Sequence, residues 1–171
     1  LIDAGAAFGT GLHETTFGCL TALDDLHKWR RVRHPLDLGC GSGVLALAIA
    51  KAWNISVLAS DIDPAAVEVT KANARRNRLA PLLTVVEAIG LQNRLLREQA
   101  PYDLIVANIL AWPLMKMAPD IAAALDRTGV LILSGLLGTQ EVMVRKAYLE
   151  QGLKLKRRYA IGEWNTLVLC R

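Results

Sequence analysis

Nothing in this sequence reads as a membrane span, a disulfide framework or a metal cluster. The longest apolar stretches, such as Gly43 to Ala50, are far too short to cross a bilayer. No basic segment followed by an apolar run opens the chain, so no signal peptide is read. The first residue is Leu1 and not Met, and the natural start is expected to lie elsewhere. Cysteine is scarce: Cys19, Cys40 and Cys170 are odd in number and widely spaced, which fits neither paired disulfides nor metal ligation. No metal is expected, and free thiols suit a reducing compartment, hence the cytoplasm. Charge of one sign is also weak. A formal +4 over 171 residues permits an anionic partner such as RNA without demanding one, and no direct nucleic-acid contact is expected. Repeats and low-complexity linkers are missing, which leaves a single domain of ordinary size, and nothing indicates an oligomeric state.

What is present is an alternation of short β-rich runs with longer helical ones. A helical run ends near Leu26, and Pro35 to Leu38 then enters a glycine turn. Val44 to Trp53 is helical, Ser56 to Ser60 a strand, and Ala65 to Arg78 helical behind Pro64, which suits a first helical turn. Leu82 to Val86 and Tyr102 to Ala107 read as strands; Pro113 to Leu125 reads as a helix bent or divided at Pro119. Val130 to Ser134 is a fifth strand, followed by a helix from Glu141 to Glu150. Two closing β runs lie near Leu153 to Tyr159 and Leu167 to Cys170. This order predicts an α/β domain with a mostly parallel seven-stranded sheet and a C-terminal antiparallel hairpin. Ligands in such sheets bind outside the carboxyl ends of the strands.

Gly39-Cys40-Gly41-Ser42-Gly43 follows the first core strand and opens a helix. Glycines there let backbone approach a ligand closely, and the helix start offers unpaired N–H groups. Asp61 ends the second strand, 22 residues after Gly39, where an acid can accept from both ribose hydroxyls of an adenosine. A dinucleotide site would want its third glycine three positions after the second, and Val44 stands there. Asp63, before Pro64, reads as a helix cap. Glu87 ends the third strand, either bordering the adenine or simply solvated.

Phe8 to Thr16 places glycines, threonines and His13 just before a helix, a pattern suited to a lid that orders when a ligand binds. Thr15 or Thr16 is a candidate cap for that helix, and His13 either caps or takes part in chemistry. Asn108-Ile109-Leu110-Ala111 ends the fourth strand, where an amide can accept a hydrogen bond from a nucleophile or donate one to a cofactor.

Four segments, Ala7 to Thr16, Asp37 to Gly43, Asp61 to Pro64 and Ala107 to Ala111, together with Glu163-Trp164, resemble the catalytic domain of the ribosomal protein methyltransferase family, whose substrate is protein eleven of the large ribosomal subunit. The resemblance implies a Rossmann-like fold over residues 1–171, S-adenosylmethionine as cofactor, and methylation of lysine side chains and an α-amine. From the residues and the resemblance together, the expected cofactor contacts are Phe8, Thr10, Thr16, Gly39, Cys40, Gly41, Asp61, Ile62, Glu87 and Asn108. The expected catalytic residues are Asn108 and His13, with His13 the sole candidate base. Ala4 and Glu14 stand where the family usually has proline, and the family's N-terminal substrate-recognition domain is expected to be absent from this chain.

Methyl transfer to base or glutamine amides usually uses Asn or Asp followed by Pro-Pro and an aromatic residue; here Ile109 and Leu110 follow Asn108. A small-molecule methyltransferase and a non-catalytic S-adenosylmethionine-binding module remain as alternatives. The cluster Lys154, Lys156, Arg157 and Arg158 reads either as an RNA contact or as the solvated face of a closing strand.

Overall fold

The computed structural model describes Ile2 and residues 13–171. The Phe8, Thr10 and lid expectations lie outside the described residues.

Helix α1 (Glu14–His27) precedes a sheet whose strands are β1 (Pro35–Leu38), β2 (Val57–Asp61), β3 (Leu83–Glu87), β4 (Tyr102–Asn108), β5 (Leu125–Leu137), β6 (Lys154–Ile161) and β7 (Trp164–Cys170). Between them run α2 (Val44–Trp53), α3 (Pro64–Arg76), α4 (Arg94–Glu98), α5 (Ala111–Lys116), α6 (Ala118–Ala124) and α7 (Glu141–Leu149). The spatial order is β3-β2-β1-β4-β5-β7-β6. The first five strands are parallel, and β7 runs antiparallel to both β5 and β6. The chain winds outward from β1 to β3 and then restarts at β4 on the other side of β1. This reversal leaves a crevice above the carboxyl ends of β1 and β4.

Alternation along each central strand divides the apolar residues between two layers. Leu104 and Val106 face α1 and α2 with Val57, Ala59, Val130 and Ile132. Ile105 and Ala107 face α5, α6 and α7 with Leu36, Leu131 and Leu133. Edge strand β6 keeps Lys154, Lys156, Arg157 and Arg158 exposed, a charged rim that blocks pairing with another sheet. Two members of that cluster are already paired: Arg157 with Asp25 at 3.1 Å, and Arg158 with the buried Glu141 at 3.4 Å.

The helix expected to be bent or divided at Pro119 is divided, with Met117 between α5 and α6. Strand β5 is much longer than Val130 to Ser134. It begins at Leu125, and its register against β7 shifts between Leu133 and Leu136. That shift carries β5 onward to pair Leu137 with Trp164, which brings the start of β7 beside the crevice.

Candidate functional site

The glycine turn after β1 is fastened from both sides. The N–H groups of Gly39 and Cys40 both donate to the Ser60 carbonyl, at 2.8 and 2.9 Å, tying the turn to β2. From α3, Thr70 Oγ1 donates to the Gly41 carbonyl at 2.9 Å, and Asn73 Nδ2 donates to that of Ser42 at 2.9 Å. Asp61 Oδ2 accepts from Gly41 N–H at 2.8 Å, and its Oδ1 accepts from Asp63 N–H at 3.0 Å. This carboxylate therefore braces the turn in addition to facing the crevice. Asp63 is the cap of α3, accepting from Ala65 N–H at 2.8 Å behind Pro64, as its sequence predicts.

The turn forms one wall of a cavity of about 360 Å³, a volume within the range of small-ligand sites. Thr16, Gly39, Cys40, Gly41, Asp61 and Asn108 all line it, joined by His13, Val44, Leu110 and Trp164. Ile62 and Glu87 do not; they line a separate, shallower depression of about 300 Å³ with Ala88 and Ile89. Glu87 itself is solvent-exposed there.

The cap of α1 is His13, not Thr15 or Thr16, both of which are buried in the first helical turn. His13 Nδ1 accepts from Thr15 N–H at 3.3 Å, and the ring meets Trp164 edge-on at 5.2 Å. A capping Nδ1 is a proton acceptor already in use. Across the cavity, Asn108 Nδ2 approaches Thr16 Oγ1 at 3.5 Å, while its Oδ1 is buried with no hydrogen-bond partner among the described residues. A buried carbonyl oxygen without a donor is costly unless a ligand supplies one.

The family model for ribosomal protein L11 methyltransferase (PrmA) matches residues 1–171. Ribosomal protein L11 methyltransferases of Caulobacter sp. (strain K31) and Rhizobium meliloti (strain 1021) are 49% and 50% identical over 170 residues. Each alignment covers 99% of this chain and 58% of the relative. The chain belongs to the ribosomal protein L11 methyltransferase family. A crystal structure of ribosomal protein L11 methylase from Lactobacillus delbrueckii subsp. bulgaricus superposes with a TM-score of 0.88. The identity is 29%, over 99% of this chain and 83% of that one. The architecture is thus the Rossmann-like methyltransferase fold that the sequence implies.

In this member of the L11 methyltransferase family, three site-building residues carry signals that sequence reading passed over. Thr70 and Asn73 are polar residues on the buried stripe of α3, among Ala66, Val67 and Ala74. Asp37 is an acid inside the otherwise apolar run Pro-Leu-Asp-Leu of β1, fully buried. Gly43 starts α2 with no side chain to cap it, and Asp37 Oδ2 accepts instead from Ala46 N–H at 2.8 Å. The acid thus satisfies one orphan donor of that helix from below. The neighbouring thiol, Cys40, is held above its usual range by burial, so it lines the cavity as an unreactive group.

Burial pushes the Asp37 carboxyl up to about 7, the Ala46 N–H opposing this and the Asp61 charge adding to it. A carboxyl raised above its unfolded value favours the folded state while protonated. That contribution is complete below about 3.8 and is lost as pH rises through about 7. Asp37→Asn keeps an acceptor for Ala46 and does not titrate. Its unfolding free energy relative to the parent is expected to improve by a few kcal/mol between pH 5 and pH 8. Chemical denaturation of both proteins across this range tests the point; a difference that does not change with pH overturns it.

Proposed function

We propose that residues 1–171 form the methyl-transfer domain of a ribosomal protein methyltransferase. It moves a methyl group from S-adenosylmethionine to lysine side chains and an α-amine of a large-subunit ribosomal protein. The observation that carries this reading is Asn108 Oδ1, buried with no hydrogen-bond partner among the described residues and set in an apolar cavity across from the glycine turn and Asp61. The residues fit the cofactor. Asp61 retains acceptor capacity for ribose hydroxyls on oxygens that each take one backbone N–H, and Gly39 to Gly41 offer close-approaching backbone. Ile62 and Glu87, beside Asp61 in sequence and in register, line the separate depression on the side where the adenine would lie.

When bound, S-adenosylmethionine supplies a methyl group already activated on a sulfonium. The chain's own task is to hold a neutral amine. A free lysine has a pKa near ~10.4, and an apolar lining disfavours its cation. Val44, Leu45, Ile109 and Leu110 supply that lining. Asn108 Oδ1 accepts one amine N–H and so aims the nitrogen lone pair. His13, with Nδ1 taken by the helix, shapes the rim and orients rather than accepts the proton. Substrate recognition falls to the portion of the relatives outside the matched region. The proposed substrate and the free thiols of Cys19, Cys40 and Cys170 both fit a cytoplasmic setting.

The test is transfer of labelled methyl to purified ribosomal protein, with calorimetric titration of the cofactor in parallel. Asp61→Asn is expected to weaken the cofactor roughly ten- to a hundredfold, since a hydrogen bond to a charged group is worth about 1.5–3 kcal/mol. The chain itself is expected to bind cofactor and to methylate free ribosomal protein slowly. A full-length Caulobacter relative should be orders of magnitude faster than its own matched region. Unaltered cofactor affinity in Asp61→Asn rejects the cofactor assignment. Transfer to small amines but never to the ribosomal protein rejects the substrate.

A further inference from the structure

A second concave surface lies at the other end of the sheet. The loop between α1 and β1 reads Lys28-Trp29-Arg30-Arg31-Val32-Arg33. With the end of α2 it encloses a groove of about 800 Å³, which includes Trp53 and Asn54. The methyl-transfer cavity opens at the carboxyl end of β1 and this groove at its amino end. Four residues of strand, roughly 13 Å at about 3.3 Å each, separate the two ends.

The groove wall is held in place. Trp53 Nε1–H donates to the Arg30 carbonyl at 3.0 Å, and His27 packs edge-to-face on the Trp53 ring at 4.8 Å. Trp29, by contrast, is 64% exposed and has no ring partner among the described residues. The nearby acids are largely occupied. Asp24 and Asp25 hold Lys28, and Asp25 also holds Arg157 and the Tyr159 hydroxyl. Both oxygens of Asp103 accept backbone N–H groups, from Arg33 and His34. Asp126 turns onto Thr128. Arg31 and Arg33 are exposed, and neither side chain makes an ion pair or hydrogen bond among the described residues. The Arg30 Nε–H is buried without a hydrogen-bond partner among the described residues. A net charge of +4 averaged over the chain conceals this local concentration.

We propose that this groove is a docking surface for single-stranded RNA. Two unpaired guanidinium groups suit phosphates, and the exposed indole of Trp29 in the same loop suits an unstacked base. Acidic peptides offer the charge without a flat ring to stack, and duplex RNA keeps its bases inside. The proposal does not depend on the methyl-transfer reading, because the two surfaces share no residue.

The experiment is fluorescence anisotropy with a labelled 15-nucleotide oligouridylate at 50 and 200 mM salt. At a slope of about −0.7 per phosphate, two contacts predict an affinity loss of roughly sevenfold across that interval. Arg31→Glu with Arg33→Glu is expected to weaken binding at least tenfold. Trp29→Ala is expected to weaken the oligonucleotide about tenfold while leaving inorganic polyphosphate, which has no bases, unchanged. Cofactor titration of each variant should match the parent, which verifies the fold. No binding at 50 mM salt overturns the proposal. So does equal binding by the double variant, an unaltered affinity in Trp29→Ala, or a polyglutamate that binds as tightly as the RNA.

Discussion

Asn108→Ala is expected to lower turnover on an amine substrate by roughly a hundredfold, the scale set by misplacing a reacting group. Cofactor affinity should change far less. The amide sits at the end of β4 with its nitrogen toward Thr16 and its oxygen buried without a partner among the described residues. Removing it leaves Asp61, the proposed polar partner of the cofactor, in place. What is lost is the acceptor that fixes the amine. Single-turnover transfer measured beside calorimetric titration separates the two effects. An alanine variant that turns over like the parent removes Asn108 from the reacting centre. One that loses cofactor as steeply as it loses rate makes Asn108 a binding residue only.

Gly135→Ala should be among the most destabilising single-methyl additions in the molecule. Gly135 takes φ of +83°, and a Cβ there would lie 2.3 Å from the carbonyl oxygen of Ile109, which is backbone and cannot swing aside. The left-handed conformation costs about 1–2 kcal/mol for an L residue, and forcing the two strands apart adds roughly 1–3. For a domain of this size that corresponds to a fall in Tm of about 5–15 °C. Gly152→Ala is the matched control: its φ is +80°, with nothing within 4 Å of the added carbon, so only the conformational cost applies. Thermal unfolding of both variants makes the comparison. Equal losses would mean that β5 relaxes away from Ile109 without cost, and the tight seam between the β4 and β5 ends would not be needed to hold Asn108.

The sheet was largely legible because its signals are local. Val44–Trp53 is read to the residue, since Gly43 and Asn54 both take left-handed conformations at its two ends. Helix α4 was missed: at five residues it is too short for a periodic pattern, and its cap, Asn93, resembles any turn asparagine. The early part of β5 was missed because Asp126, Arg127 and Thr128 look like a turn. In the site, the motif residues that share the cavity announced themselves through glycine spacing and strand ends. The supports did not. Asp37, Thr70 and Asn73 act by reaching between elements that are distant in sequence, and only their polarity within apolar stripes hinted at them. Trp29, Arg31 and Arg33 escaped for the same reason, since the groove exists only once the end of α2 lies beside their loop.

The placement of α1 has a consequence for how the chain is made. Its first turn rests on the far end of the polypeptide: Ser134 Oγ donates to the Thr15 carbonyl and also bonds Thr166 Oγ1, and Tyr159 reaches Asp25. Helix α1 is made before every strand of the sheet, yet the strand it packs on, β7, is made last of them. At about 5–20 residues per second, the roughly 150 residues from Thr16 to Thr166 take about 8–30 s to synthesise. Throughout that interval α1 lacks the Thr166-bearing strand that it packs on, and the cavity lacks Trp164 from its lining. A nascent chain therefore acquires its glycine turn early and its complete cavity lining only once β7 has been made. Truncation before Trp164 would remove that residue from the cavity lining and the strand on which α1 rests.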